Sequence, residues 1–261
     1  MLKVLIERLR RGAYTLPFPA EPAGFPARYR GRPSFDPARC RELCRACSER
    51  APSPWIRVGP EGAVTLDLGA CLFSPEEAAA CPGGAITYTP DPRMATRHRE
   101  GLVTPNGEVA LACSLERATR RLFGRSLRLR SVVAGSCGGC EAELTALGNV
   151  VFDMARFGIQ FVASPRHADG IVITGTVNPA MRTALEKCYD ALPDPRLVIA
   201  VGACAISGGP FRANPEAGQG VPPGIPVDLY IPGCPPHPVT LLDGLLRLLG
   251  RMEDGSRAPS R

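Results

Sequence analysis

Residues 127–140 read LRLRSVVAGSCGGC, and this stretch decides how the second half of the chain is interpreted. Its apolar start is typical of a buried strand, and the glycines around Cys137 and Cys140 end that strand. Two further apolar runs also end in cysteine, LVIAVGAC at residues 197–204 and VDLYIPGC at residues 227–234. Three predicted strands are therefore followed by four cysteines, which are Cys137, Cys140, Cys204 and Cys234.

Helical spacing of apolar residues alternates with these strands. We predict strands over residues 127–133, 159–163, 170–174, 197–201 and 227–231, and helices over residues 142–157, 179–192 and 239–249. Continuous apolar strands that alternate with helices indicate an α/β domain with a parallel sheet covered on both faces. Ligands of such sheets bind beyond the carboxyl ends of the strands, so the four thiols are expected to converge on one site.

Four converging thiolates suit either a tetrahedral zinc ion or an iron–sulfur cluster. Structural zinc usually takes two close pairs of ligands, whereas gaps of 64 and 30 residues separate Cys140 from Cys204 and Cys204 from Cys234. We therefore favour a [4Fe–4S] cluster. One alternative is a structural zinc site of four cysteines in an interaction protein. Another is a thioredoxin-like redox pair at Cys137 and Cys140, although this pair leaves the other two cysteines unexplained.

The overall composition favours some classes of protein function over others. Eleven cysteines in a chain of 261 residues without a secretory signal pattern indicate metal or redox chemistry rather than disulfides. No apolar run reaches the roughly 18 residues of a membrane-spanning helix, so we expect an intracellular protein. The net charge is +6, but the arginines lack the pattern of nucleic-acid readers, and we expect no nucleic-acid partner.

Composition also divides the chain into five predicted parts. They are a docking arm at residues 1–35, a degenerate ferredoxin-like domain at 36–92, a connector at 93–125, the α/β domain at 126–250 and a flexible tail at 251–261. The arm begins with an amphipathic segment at residues 2–9, and the connector is expected to be helical around residues 115–123. The second part is poor in apolar runs and is expected to need metal crosslinks to fold.

The N-terminal cysteines follow the pattern of two-cluster bacterial ferredoxins, in which a C-x2-C-x2-C-x3-C-P run sends its fourth cysteine to the other cluster. One ligand set is complete here and consists of Cys40, Cys44, Cys47 and Cys81. The other set would be Cys71, Ser74, Glu77 and Ala51, which has lost three thiolates. We therefore predict one [4Fe–4S] cluster in this domain. Because an extra residue separates Cys40 from Cys44, a domain without any cluster is the alternative.

Four segments resemble a known family. GSCGGCEAEL at residues 135–144, FVASPRHADGIVITG at 161–175, VGACAISGG at 201–209 and PVDLYIPGCPPHP at 226–238 resemble the small subunit of group 4 energy-converting [NiFe] hydrogenases of the formate hydrogenlyase type. That subunit is homologous to the cluster-bearing B subunit of respiratory complex I. The resemblance covers about residues 122–250. Residues 14–40 and 66–86 resemble the separate ferredoxin-like subunit of the same complexes, so the chain looks like a natural fusion.

The resemblance implies a flavodoxin-like domain that holds the proximal [4Fe–4S] cluster through Cys137, Cys140, Cys204 and Cys234, after a small ferredoxin-like (α+β) domain. It implies two [4Fe–4S] clusters in all and an electron-transfer role in an oxidoreductase complex, with no catalytic residue in this chain. The implied partners are a hydrogenase-like large subunit, membrane subunits and a redox donor protein. The implied location is cytoplasmic, peripheral on the inner face of the cell membrane.

The resemblance leaves the kind of complex open. The spacing Cys137-x2-Cys140 is similar to the hydrogenase version, whereas the complex I version has two adjacent cysteines there. The nickel–iron centre of the family lies in the large subunit. A complex I-like or hydrogenase-related complex that lacks this centre is therefore the alternative.

Several other residues have both a functional and a structural interpretation. Glu143 matches an acid shared by both versions of the family, which implies a proton-relay or interface role. The alternative is that Glu143 only stabilises the start of a helix, which is the role we expect for Glu141. His237 is expected to cap a loop, and a hydrogen bond to a cluster sulfur is the alternative. Cys113 and Cys188 are expected to be ordinary buried thiols. Cys71 is expected to be a vestigial ligand position, and substitution for a neighbouring ligand is the alternative.

Overall fold

The computed structural model describes residues 2–40, 45–105, 107–116, 121–123 and 126–252. Cys44, part of the helix predicted around residues 115–123 and nearly all of the predicted tail lie outside these ranges. The helices are α1 (Leu2–Arg11), α2 (Ala46–Arg50), α3 (Pro75–Ala79), α4 (Gly139–Ala146), α5 (Pro179–Asp190), α6 (Gly202–Ser207) and α7 (Pro238–Leu248). The strands are β1 (Pro33–Phe35), β2 (Ile56–Val58), β3 (Val64–Asp67), β4 (Ile86–Tyr88), β5 (Val103–Thr104), β6 (Leu127–Val133), β7 (Ile159–Phe161), β8 (Gly170–Thr174), β9 (Leu197–Val201) and β10 (Leu229–Ile231).

Strands β6 to β10 form one parallel sheet in the order β10-β9-β8-β6-β7. Counted from β6, this is the doubly wound order 2-1-3-4-5 that flavodoxin uses. Every residue of β8 and β9 is buried, as the continuous apolar runs predicted. The predicted parallel sheet is confirmed.

Helices cover both faces of this sheet because alternate strand residues point in opposite directions. On β8, Val172 packs into the same core as α4 and α7, while Ile171 and Ile173 pack with Leu185 of α5. On β9, Ile199 packs into the core of α4 and α7, Val198 packs with Leu185, and Ala200 packs into a third core. The carboxyl ends of the strands stay uncovered by these helices and remain available for a site.

The predicted helix over residues 142–157 is wrong in its length. Helix α4 ends at Ala146, and a separate 3-10 turn follows at Met154–Phe157. The side-chain oxygen of Asn149 accepts hydrogen bonds from the backbone N–H groups of Val151 and Phe152, which offers the backbone an alternative to the helix. Apolar spacing alone does not reveal this local competition.

The N-terminal region forms two small antiparallel sheets, β1-β4 and β2-β3-β5. Strand β5 comes from the stretch that was expected to be a connector. The core of this region surrounds the fully buried Trp55 and extends onto Ala205 and Ile206 of α6. A backbone bridge also joins Thr96 to Tyr230 of β10. The N-terminal region therefore packs against the sheet domain beside its cysteine-bearing edge.

Helix α1 lies almost entirely in solvent. Its apolar side chains are all exposed, from Ile6 at 48% to Leu9 at 78%. Basic residues Arg8, Arg10 and Arg11 occupy its last turn. Among the helices in the described ranges, none has the length and apolar character needed to cross a membrane.

Candidate iron–sulfur site

The four cysteines predicted to form one site follow three neighbouring strands. Cys137 lies in the turn between β6 and α4, Cys140 lies in the first turn of α4, Cys204 lies in α6 directly after β9, and Cys234 follows β10. Cys140 and Cys204 are buried, Cys234 is half-buried and Cys137 is exposed. The structure brings these thiols together at the carboxyl edge of the sheet, with Cys137 at the solvent side.

Glycine makes the close approach between two of these loops possible. A Cβ atom at Gly202 would lie 2.6 Å from the Sγ atom of Cys140, well inside normal contact. The φ angle of Gly202 is +86°, in the region that favours glycine. The start of α6 can therefore lie directly against the Cys140 sulfur, with backbone rather than a side chain facing it.

The thiols at this site influence one another electrostatically. Burial, followed by Glu141 and the three other thiols, raises the pKa of Cys140 well above its ordinary value. Burial, followed by the thiols of Cys234 and Cys137, raises the pKa of Cys204 to about 11. Burial is also the largest cause of the raised pKa of Cys234, ahead of Cys137 and Glu77. The thiols of Cys140, Cys204 and Cys234 therefore do not ionise together without positive charge among them.

This electrostatic pattern fits a bound iron–sulfur cluster. Thiolate, not thiol, is the form that ligates metal. Iron ions would supply the positive charge that four neighbouring thiolates need, so cluster binding and deprotonation would occur together. In the ranges that the structure describes, no three Cys, His, Asp or Glu side chains are close enough to surround a single metal ion.

Three of the four predicted N-terminal ligands pack into one core. Cys40, Cys47 and Cys81 pack into the same core of the N-terminal region, Cys47 from α2. The backbone N–H of Ala85 donates a hydrogen bond of 3.3 Å to the Sγ atom of Cys81. Such N–H donors are a feature of protein sites that hold cluster sulfur. The fourth predicted ligand, Cys44, is not among the described residues.

The sequence did not reveal the contacts of Glu77, a position without a thiolate in the incomplete N-terminal ligand set. Glu77 is fully buried. Its carboxyl oxygens accept hydrogen bonds from the hydroxyl of Ser53 at 2.7 Å, the thiol of Cys71 at 3.2 Å and the hydroxyl of Tyr88 at 3.2 Å. The backbone N–H groups of Leu72 and Ser74 donate to it as well. A buried polar network thus surrounds the Glu77 carboxyl group.

A cavity of about 220 Å³ opens beside the Cys234 loop. Its lining includes Glu143, Phe73 and His237. Burial raises the pKa of Glu143 and lowers the pKa of His237. The Nδ1 atom of His237 accepts a hydrogen bond of 3.1 Å from the N–H of Val239 and caps α7, in line with the structural interpretation of this residue.

The remaining residues discussed from the sequence are Glu141, Cys188 and Cys113. Glu141 lies in the first turn of α4 and accepts a hydrogen bond from the hydroxyl of Thr174. Cys188 is half-buried on α5. Cys113 is exposed, so the expectation that it is a buried thiol is wrong. The neighbouring Leu115 supplies the buried side chain of that segment instead.

Residues 137–248 match the family model described as the 20 kDa subunit of NADH ubiquinone oxidoreductase. The chain is 47% identical to the B subunit of NADH-quinone oxidoreductase from Bacteroides thetaiotaomicron over 128 residues, which is 48% of this chain and 64% of that protein. It is 45% identical to the corresponding B subunit from Heliobacterium modesticaldum over 119 residues, 45% of this chain and 68% of that protein.

A hydrogenase-related protein is also similar. The chain is 38% identical to formate hydrogenlyase subunit 7 of Escherichia coli over 160 residues, which is 61% of this chain and 63% of that protein. The chain thus spans somewhat less than two thirds of the length of several curated relatives. The matched family model begins at Cys137 and leaves the N-terminal region outside it.

Proposed function

This chain belongs to the family of the 20 kDa subunit of NADH ubiquinone oxidoreductase, and on that premise we propose that it is an electron-transfer subunit that relays electrons through two [4Fe–4S] clusters. It is proposed to serve a membrane-associated oxidoreductase complex related to complex I and to [NiFe] hydrogenases. The chain itself carries no catalytic residue in this proposal. Its contribution is to hold the clusters and to set how readily each accepts an electron.

The observation that carries the proposal is the convergence of four thiols at one sheet edge. Cys137, Cys140, Cys204 and Cys234 come from three strand ends, and the pKa of each of the last three is raised partly by its neighbours. We assign them as ligands of the proximal cluster, which when bound would accept and release one electron at a time. The buried residues exclude water around it, and the exposed Cys137 side is where a partner would approach.

The packing between the two cysteine-bearing regions supports a relay with two centres. We assign Cys40, Cys44, Cys47 and Cys81 to the second cluster. The core that contains three of these cysteines also contains Ala205 and Ile206, the residues directly after Cys204. Electrons that pass between the two sites would therefore cross packed protein rather than solvent.

The proposed partners are a hydrogenase-like large subunit, membrane subunits of the same complex and a redox donor protein. The similarity to formate hydrogenlyase subunit 7 and the Cys137-x2-Cys140 spacing favour a hydrogenase-like partner. The higher identity to NADH-quinone oxidoreductase subunits favours the alternative, a complex I-like assembly without nickel and iron. The location proposed is the cytoplasmic face of the cell membrane, with the exposed apolar and basic side chains of α1 against the lipid.

A pair of cysteine variants tests the proposal. In the assembled complex, Cys234→Ala should abolish partner-dependent electron transfer and the paramagnetic signal of the reduced proximal cluster. Cys188→Ala, a half-buried cysteine away from the site, should keep both and cost about 1 kcal/mol of stability at most. Retention of the signal in Cys234→Ala, or its loss in Cys188→Ala, would overturn the assignment.

A further inference from the structure

The vestigial ligand position at Glu77 holds a buried carboxyl group without a cationic partner. No Lys, Arg or His side chain forms an ion pair with Glu77 within the described parts of the chain. Its partners are instead two backbone N–H groups, two hydroxyls and a thiol. Backbone N–H groups can only donate, and the other three are also able to donate. This set of donors suits a carboxylate.

The network also fixes the loop that approaches the proximal site. The bonds from Leu72 and Ser74 to Glu77 close the loop around Phe73, whose φ angle is +53°. Phe73 lines the same cavity as Cys234 and Pro235. The Glu77 carboxylate thus lies behind a loop that faces one proposed ligand of the proximal cluster.

We propose that Glu77 replaces the lost second cluster of the ferredoxin-like region with a fixed negative charge that lowers the reduction potential of the proximal cluster. The inference rests on the proposed function, because it requires a cluster at Cys234. An electron added to that cluster increases its negative charge, and a nearby anion in a dry, low-dielectric interior opposes the addition. Glu77 acts on the cluster through space and is not one of its ligands.

A substitution that keeps the shape and removes the charge tests this role. Glu77→Gln keeps one oxygen to accept the Leu72 and Ser74 hydrogen bonds. Glu76→Gln is the matched control, because Glu76 is the preceding residue of the same helix α3 but is exposed. Both variants change the net charge of the chain by the same amount. The measurement is a potentiometric titration of the proximal cluster followed by electron paramagnetic resonance, together with the iron content of each protein.

Glu77→Gln should shift the midpoint potential of the proximal cluster to more positive values at unchanged iron content. The expected size is a roughly threefold to tenfold higher ratio of reduced to oxidised cluster at a fixed applied potential. Glu76→Gln should leave the potential within error of the parent protein. Equal potentials in Glu77→Gln and Glu76→Gln would overturn the inference while leaving the cluster assignment intact. Absence of the cluster signal in the parent protein would overturn the proposed function itself.

A second variant covers the case in which Glu77→Gln loses iron or fails to fold. Tyr88→Phe keeps the ring and the charge of Glu77 but removes a hydroxyl whose hydrogen points at the carboxylate. That hydroxyl dipole offsets part of the negative field, so its removal should move the potential of the proximal cluster to more negative values. An unchanged or more positive potential in Tyr88→Phe would overturn the inference.

Discussion

The hydroxyl of Ser207 donates a hydrogen bond of 2.9 Å to the backbone carbonyl of Gly69, across 138 residues of sequence. Ser207 ends α6, the helix that carries Cys204, and Gly69 precedes Cys71 by two residues. A Cβ atom at Gly69 would lie 2.6 Å from the Cγ2 atom of Ile206. The helix that carries Cys204 is therefore held tightly against the N-terminal region, and the proposed electron relay between the two regions needs such a contact.

This contact predicts energetic coupling between Gly69 and Ile206. Gly69→Ala should lower the free energy of unfolding by about 1–3 kcal/mol, because the added methyl group forces Ile206 to move. In the double variant with Ile206→Ala the clash with Ile206 is absent and only the Arg99 guanidinium, at 3.0 Å, stays close, so the two substitutions should cost less together than the sum of their separate effects. Denaturant unfolding of the parent, both single variants and the double variant measures this. Strict additivity would argue against the tight contact.

The close approach of Gly202 to Cys140 predicts a local effect on cluster binding. Gly202→Ala places a methyl group on the sulfur and also strains the backbone at a φ angle of +86°, so the proximal cluster should be lost. Gly224→Ala is the control, since a Cβ atom there would meet nothing within 4 Å. Iron analysis and the visible spectrum of both proteins check the prediction. Full iron content in Gly202→Ala would contradict the site geometry.

Because His237 is partly buried among aromatic rings, we predict that the stability of the protein depends on pH. Its ring lies among Phe25, Tyr29 and Phe152, and burial lowers its pKa. The unfolded chain then binds a proton more tightly than the folded one. The stability that neutral His237 provides should be full above about pH 6.5 and should decline as the pH falls through and below that value.

Unfolding measurements with His237→Asn test the dependence. Asparagine still caps α7 but does not titrate, so the decline in stability below about pH 6.5 should become shallower. His167→Asn serves as the control because His167 is exposed and lies in a 3-10 turn. The same pH dependence in His237→Asn and in the parent protein would show that another group is responsible.

We predict that helix α1 contributes to the membrane association of the complex. No described residue of α1 is buried, so deletion of residues 1–12 should leave the rest of the fold intact. Because its apolar side chains and basic residues suit an anionic lipid surface, the truncated complex should leave membranes at lower salt concentrations. Membrane retention across a salt series measures this. Retention equal to that of the full chain would assign α1 another role.

The sheet could be predicted from the sequence because burial on both faces leaves a strong local signal. The bounds of β8 and β9 agree with the prediction, since Gly170–Thr174 and Leu197–Val201 are uniformly apolar or small apart from Thr174. The convergence of the four cysteines could be predicted because each of them follows a strand of one parallel sheet. The length of α4 could not be predicted, because the side chain of Asn149 ends the helical pattern through a local hydrogen bond.

The Glu77 network could not be predicted for a different reason. The bond from the N–H of Ser74 to Glu77 is local and lies at the start of α3. The partners Ser53 and Tyr88 come from distant parts of the sequence, and only the folded chain brings them together. The sequence predicted an incomplete ligand set that includes Glu77, but what stabilises this side chain depends on tertiary structure.

The metal content of the anaerobically purified protein tests the central claim most directly. The account predicts about eight iron atoms per chain, as two cubane clusters, with a broad absorption band near 400 nm. Cys81→Ala should remove about half of this iron, whereas Cys113→Ala, an exposed cysteine outside both sites, should remove none. A colourless protein that contains zinc in place of iron would contradict the account.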